Sequence, residues 1–259
     1  MKTVKVRDVI IGEGMPKICV PIVEEETEAI IHRAEGLLDK HIDIVEWRAD
    51  WFIGSDNWAE VERILCHLRD ILKEVPLLFT FRTFSEGGHK DISPKEYGIL
   101  LEKAILSGKI DAVDIEVFIK EDKLVDRIIK LAHKCGVVVM GSNHNFMKTY
   151  EMDTIVDRLV FMQDTGVDIA KIALMPNSKK DVLTLLEATS VMNEQYNRTP
   201  VVTMSMSEIG MISRLAGQFF GSAITFASDG CTSAPGQMPV EDVYQILTLI
   251  DGNLNKGEN

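Results

Sequence analysis

The sequence is poor in the features that mark several large classes of protein. Its four cysteines, Cys19, Cys66, Cys135 and Cys231, are scattered, with no C-x-x-C pair and no zinc-type spacing. Neither a structural zinc nor a disulfide framework is therefore expected, and free thiols fit a reducing cytoplasm. No apolar run approaches the roughly 18 residues of a membrane span. The stretch from Met1 to Ile11 is short, alternating and charged, and does not read as a signal peptide. Basic residues number 28 against 40 acidic ones, for a formal net charge of −12. That balance argues against nucleic acid or an anionic membrane surface as a partner, while leaving room for a local cationic pocket. A G-x-G-x-x-G turn is also missing: the segment ending the first apolar run reads Pro21-Ile22-Val23-Glu24. This disfavours an open dinucleotide-binding sheet.

What the chain does contain is an alternation. Short runs rich in Val and Ile occur at Ile18–Ile22, Ile42–Trp47, Leu77–Arg82, Ala112–Val117, Val137–Ser142, Ile169–Leu174, Val201–Ser205 and Ala223–Phe226. Runs without strict polar alternation suit parallel strands buried on both faces. Segments of helical period separate them, as in Glu24–Leu38 and Trp58–Leu72. Ser93-Pro94-Lys95-Glu96 opens a helix with a capping serine, a proline at the first helical position and a glutamate that reaches back. Pro239 opens Val240–Ile250 in the same way. Eight strands alternating with helices in 259 residues match the size of a closed barrel, about 250 residues. The expected fold is α/β, a (β/α)8 barrel forming one domain over residues 1–259. Residues 1–16, with Val4, Val6 and Val9–Ile11 around Arg7-Asp8, should form an N-terminal β-hairpin closing the bottom. The polar residues 252–259 should fray.

Active sites of such barrels lie at the C-terminal ends of the strands. There the sequence places Glu46, Arg48, Arg82, Glu86, Asp114, Glu116, His144 and Lys171. An isolated buried charge costs several kcal/mol, so a cluster of opposite signs at a strand-end face reads as a polar site. Lys171 sits among Val167, Ile169, Ile172, Ala173 and Leu174. Desolvation disfavours an ammonium, and the free amine attacks carbonyl carbon. An ion pair with Glu46, Asp114 or Glu116 is the other reading, and the local sequence does not separate the two. His144, directly after a strand, has the chemistry of a general acid and base, or of a hydrogen-bonded core histidine. His32, His41, His67, His89 and His133 fall in or beside helical stretches or in a loop and carry no such signal. His144, Asp114 and Glu116 would supply three metal ligands, but a lysine and two arginines nearby oppose a dication. No metal and no cofactor is expected.

Several motifs then occur in one order along the chain: Glu46-Trp47-Arg48-x-Asp50, Phe79-Thr80-Phe81-Arg82 with Glu86-Gly87-Gly88, Asp114-x-Glu116, Ser142-x-His144-x-Phe146, Lys171-Ile172-Ala173 and Ser233-Ala234-Pro235-Gly236-Gln237. The set resembles type I 3-dehydroquinate dehydratase, over about Ile18 to Ile250. The resemblance implies conversion of 3-dehydroquinate to 3-dehydroshikimate by syn elimination through a Schiff base. Lys171 would form the imine, His144 would move the proton and Glu86 would orient His144. Arg214 would clamp the substrate carboxylate. Glu46, Arg48, Arg82, Ser233 and Gln237 would contact ring hydroxyls and carboxylate, and Met204 and Phe226 would form an apolar wall. The loop carrying Ser233 and Gln237 would act as a lid. Two positions depart from the family pattern: Asn145 stands where an aspartate is common, and Asn143 where an aromatic often precedes the histidine.

A class I aldolase on the same fold would also carry a barrel lysine, with Gly221 and Gly230 available for phosphate loops. Arg214 and the Ser233–Gln237 loop favour a carboxylate-bearing cyclitol. A non-catalytic barrel would be expected to lack a member of the triad, and all three are present. The resemblance further implies a homodimer acting on a small molecule in the cytoplasm.

Overall fold

The computed structural model describes residues 2–121 and 123–254. A hairpin comes first, β1 (Val4–Val6) pairing antiparallel with β2 (Val9–Ile11). Eight further strands follow: β3 (Lys17–Ile22), β4 (Ile44–Arg48), β5 (Leu77–Thr80), β6 (Ala112–Glu116), β7 (Val138–Asn145), β8 (Ile169–Leu174), β9 (Val201–Ser205) and β10 (Ile224–Phe226). The helices are α1 (Thr27–Leu37), α2 (Trp58–Leu72), α3 (Pro94–Leu106), α4 (Leu124–Lys134), α5 (Met152–Asp164), α6 (Lys179–Gln195), α7 (Ile212–Leu215), α8 (Gly217–Phe220) and α9 (Val240–Leu254). Strands β10-β3-β4-β5-β6-β7-β8-β9 lie side by side in that order, all parallel. The barrel nearly closes. At the seam between β9 and β10 no ladder forms; the Ala223 amide donates to Val201 O at 2.8 Å, and the Thr203 amide donates to the Ser222 hydroxyl at 3.1 Å. Among the described residues no helix is long and apolar enough to cross a membrane.

Alternation along each strand divides the side chains. Trp47, Phe79, Ile115 and Ile172 face the helices and meet residues such as Ile64, Leu65 and Leu68 of α2. Inside the barrel, Ile44, Leu78, Ala112, Met140, Ile169, Val202 and Ile224 make an apolar lower layer. Val6 and Ile11 of the hairpin join that layer from below. The hairpin turn, with Arg7 at φ +51°, is tied underneath by Arg7 to Asp111 at 2.7 Å and to Glu74 at 2.8 Å.

Locally encoded boundaries match the sequence closely. Helix α2 spans Trp58–Leu72, with Asn57 accepting from the Ala59 amide. Helix α3 begins with the reciprocal Ser93–Glu96 capping box. Other boundaries move for identifiable reasons. Helix α1 begins at Thr27, not Glu24, because the Glu24 carboxylate turns to the Val23 amide and to Arg33. Strand β4 begins at Ile44, since the Asp43 carboxylate takes the Ile18 amide. Strand β5 ends at Thr80, not Arg82, because the next amides go to side chains: Arg82 to Asp50 at 3.2 Å and Thr83 to Glu116 at 2.8 Å. The expected frayed tail is corrected in part. Residues 252–254 continue α9, which is held by Gln218 on Asp251 at 2.6 Å and Asn253 on Leu249 O at 2.7 Å. Residues 255–259 lie outside the described residues.

Ile11 is 1% exposed and packs against the lower layer. Ile11→Ala is expected to lower the unfolding free energy by about 2–4 kcal/mol in urea titration. A loss below about 1 kcal/mol would show that the hairpin is not part of the barrel core.

Candidate active site

Above the apolar layer the interior becomes charged. Arg82 lies at its centre, 3% exposed. Its guanidinium donates to Asp114 at 2.8 Å, to Glu116 at 3.0 Å and to the Ser142 hydroxyl at 3.0 Å, and lies 3.8 Å from Glu86. Burial opposes the charge on Arg82, but Asp114, Glu116 and Glu86 outweigh it and hold the guanidinium protonated. Asp114 shows the converse: burial pushes its carboxyl up, and Arg82 and Lys171 pull it below the usual range. Asp114 and Glu116, expected at the mouth, lie beneath it. The cavity is lined by other side chains, and these two carboxylates form its floor by pairing with Arg82.

Lys171 rises from this floor. It occupies β8, opposite Ser142 of β7 and Val202 of β9. Its side chain is 4% exposed, with Nζ 3.4 Å from Asp114 Oδ2 and 4.4 Å from the Phe226 ring centroid. The two readings left open by the sequence coexist in the structure, for the amine both pairs with Asp114 and lines the cavity.

His144 stands two residues beyond Ser142 on the neighbouring strand, so it faces the interior one layer above Lys171. Its Nδ1 lies 2.9 Å from Glu86 Oε2, and its backbone amide donates to the same oxygen at 2.9 Å. Glu86 comes from the turn after β5, where Phe84–Glu86 forms a single 3-10 turn. Gly87 has φ +84°, and a Cβ there would lie 2.1 Å from the Phe146 ring; a Cβ on Gly88 would lie 1.9 Å from Arg82 O. The two glycines thus let the turn press Glu86 against β7. Burial, then Glu116, push the Glu86 carboxyl up to about 7, against the opposing effects of Arg82 and the Asn143 amide. Burial also drives the His144 imidazole well below its usual value, and the charges of Arg82, Lys171 and Arg48 act in the same direction. Loss of the Glu86 proton leaves an ionised carboxylate beside a neutral imidazole.

The remaining wall is built from both ends of the chain. Arg48 grips Asp50 through two hydrogen bonds, at 2.8 and 2.7 Å. Glu46 accepts from Thr80 at 2.8 Å. Across the cavity, Arg214 on α7 is 3% exposed yet pairs with no carboxylate among the described residues. It donates weakly to Phe226 O at 3.5 Å and to Pro235 O at 3.1 Å, and its Nε has no partner. Burial alone pushes its guanidinium down to about 10. Met204 and Phe226 supply apolar surface. Ser233 and Gln237 bond to each other twice, at 2.8 and 2.9 Å, in the loop after β10. That loop is seated on the segment after β9: Ser207 donates to Pro235 O at 3.1 Å, and a Cβ on Gly236 would lie 2.3 Å from Ser207 O.

One cavity is lined by Glu46, Arg48, Arg82, Glu86, His144, Lys171, Met204, Arg214, Phe226, Ser233 and Gln237. All the side chains singled out from the sequence as catalytic or substrate-binding therefore meet in one place. Gly87, Phe146, Ala173, Met206 and Ala234 also line it and were given no role from sequence. Ala173 and Met206 were findable, because each lies two residues beyond an inward-facing Lys171 or Met204.

A family model described as type I 3-dehydroquinase matches residues 18–254. The chain belongs to the type I 3-dehydroquinase family. Curated 3-dehydroquinate dehydratases are similar over nearly their whole length. That of Clostridioides difficile (strain 630) is 45% identical, covering 98% of this chain and 99% of the relative. That of Listeria monocytogenes serotype 4a is 47% identical, covering 96% and 98%. Among solved structures, the type I enzyme of Clostridium difficile with covalently modified comenic acid superposes with a TM-score of 0.94 at 45% identity, covering 97% of this chain and 98% of that one. For this family member the geometry of the charged barrel has a direct consequence in acid.

Burial raises Asp50, but Arg48 and the amides of His89 and Arg82 bring it below its ordinary 3.8, the value from which Asp114 is also lowered. Below that value the unfolded chain takes up protons that the native chain refuses. The stabilisation is therefore complete above pH 3.8 and is lost as pH falls through the folded values. The melting temperature is expected to drop on acidification below pH 3.8. Arg48→Met, which leaves Asp50 buried without its partner, should cost about 3–5 kcal/mol and move the drop to higher pH. Calorimetric profiles that superimpose for the two proteins would rule this out.

Proposed function

We propose that the protein dehydrates 3-dehydroquinate to 3-dehydroshikimate through an imine on Lys171, with the barrel and its hairpin acting as one catalytic unit. The observation that carries this reading is one cavity lined by a buried lysine, a histidine–carboxylate pair and an arginine with no carboxylate partner among the described residues. Family membership supports the substrate and the reaction. In this scheme the unprotonated Nζ of Lys171 adds to the C3 carbonyl and water is lost, forming a protonated imine. The imine withdraws electrons and acidifies the C2 proton. His144 takes that proton on Nε2 while Glu86 holds Nδ1–H. The C2 electron pair forms the new double bond and expels the C1 hydroxyl, which leaves as water with the proton that His144 returns. One base serving both atoms makes the elimination syn. A water then hydrolyses the imine, releasing the conjugated ketone and free lysine, so the net change is loss of one water.

Asp114, 3.4 Å from the amine, lies where it stabilises the cationic imine. Arg214 takes the substrate carboxylate, for which a guanidinium fork is suited. Glu46, Arg48, Arg82, Ser233 and Gln237 contact ring hydroxyls and carboxylate, with Met204 and Phe226 as the apolar wall. The loop after β10 closes over the substrate and excludes water. No metal or redox cofactor enters the scheme. The four free cysteines support a reducing, cytoplasmic setting, and the family resemblance supports a homodimer.

Incubation with 3-dehydroquinate and borohydride should give a covalent adduct on the peptide containing Lys171. An adduct on another lysine such as Lys179, or none, would refute the imine. Lys171→Ala should lose the enone signal, whereas His144→Ala should still trap adduct and turn over very slowly. Arg214→Met should raise KM at least about 30-fold, since the substrate carboxylate loses its charged partner. The same variant should leave the unliganded melting temperature unchanged or higher, because an unpaired buried charge is removed. A lower melting temperature with an unchanged KM would assign Arg214 to structure instead.

A further inference from the structure

Behind the Glu86–His144 pair lie two side chains that do not line the cavity. Asn143, on β7 beside His144, is 5% exposed. Its Nδ2 donates to Glu86 Oε1 at 2.9 Å, and its Oδ1 accepts from Arg158 Nη1 on α5 at 3.0 Å. The Arg158 guanidinium lies against two rings, 4.3 Å from the Phe118 centroid and 4.6 Å from that of Tyr150. Tyr150 is in turn held by Asn145, whose Nδ2 donates to its hydroxyl at 2.9 Å.

We propose that Arg158 and Asn143 form a positioning relay that confines the proton of the Glu86–His144 pair to the line between Oε2 and Nδ1, and so sets the pH at which His144 becomes a base. The proposal rests on the reading of His144 as the base of the dehydration. A guanidinium only donates, so the Asn143 oxygen must face Arg158 and its NH2 must face Glu86. An NH2 group only donates, so its bond to Oε1 is strongest when that oxygen is ionised and is weakened if Oε1 becomes a hydroxyl. Protonation on the free side of the carboxylate is thereby disfavoured. Oε2 receives both the His144 amide and Nδ1. The proton that remains when the pair is active then sits on Nδ1, leaving the Nε2 lone pair toward the cavity.

The neighbouring charges pull in both directions. Glu116 and Asp114 favour a protonated Glu86, while Arg82 opposes it. Arg82, Lys171 and Arg48 all disfavour an imidazolium at His144. All of these reach the pair from the barrel interior. The relay reaches Glu86 from the side of α5, and it acts by hydrogen-bond polarity as well as by charge.

The test is the pH profile of kcat/KM for the full chain and its variants. Asn143→Leu removes a donor to an ionised carboxylate, and should move the acid limb to higher pH by about one unit. Arg158→Met frees the amide to turn and should move the limb in the same direction. Arg158→Lys keeps a donor and should bring it back toward the wild type. KM on the alkaline plateau should not change, because neither residue lines the cavity. Asn143→Asp, which sets a carboxylate beside Glu86, replaces Arg158→Met if that variant does not fold, and must also raise the limb. A uniform loss of kcat with an unmoved limb in Asn143→Leu would overturn the relay. Borohydride trapping separates the two levels. An adduct on Lys171 with unmoved limbs defeats the relay alone, and no adduct in the wild type defeats the mechanism on which it rests.

Discussion

The interior of this barrel depends on burying one guanidinium. Arg82 is surrounded by Asp114, Glu116 and Ser142, with Glu86 just beyond. Neither the cation nor the carboxylates would be tolerated there alone, since each isolated charge costs several kcal/mol. Once assembled, they dictate geometry around them. Glu116 also takes the Thr83 amide, which ends β5 and starts the turn toward Glu86. Asp114 also takes the Ser142 hydroxyl and faces Lys171, which aligns β6, β7 and β8 at one level.

Against that background the charges fall into two kinds. Arg48 and Arg82 have their anions within the chain. Arg214 has none among the described residues, and its burial goes uncompensated. The paired charges make the frame, and the unpaired one is the receptor proposed for the substrate carboxylate. An overall charge of −12 is no obstacle to this, because the cations are concentrated around the cavity.

Much of this was legible in the sequence. The alternation of runs led to the barrel because parallel strands and their helices carry their own periods. Trp58–Leu72 and the Ser93–Glu96 cap are local in origin, and both match. The site residues came from ordered motifs, and the structure gathers them around one cavity. What stayed hidden depends on partners far along the chain. The end of β5 is set by Asp50 and Glu116, and the start of α1 by Glu24 turning to Arg33. The placing of Asp114 and Glu116 below the cavity follows from Arg82 reaching down to them. Asn143 could be noted as a departure from the family pattern, but its bond to Arg158 required α5 to be in place.

The unequal closure of the barrel has a mechanical meaning. Six neighbouring strands, β4 to β9, are joined by ladders and carry Glu46, His144 and Lys171, with Arg82 just past the end of β5. The seam between β9 and β10 rests on one backbone bridge and a serine hydroxyl. Arg214 and the loop with Ser233 and Gln237 are attached on either side of that seam. The residues proposed to break and form bonds, Lys171 and His144, are thus mounted on the continuously laddered arc of the wall, and those proposed to hold the ligand, Arg214, Ser233 and Gln237, flank its least bonded joint. In the proposed mechanism this joint is where the wall would yield, with the Ser222 hydroxyl as its catch, while the laddered arc keeps Lys171 and His144 in place.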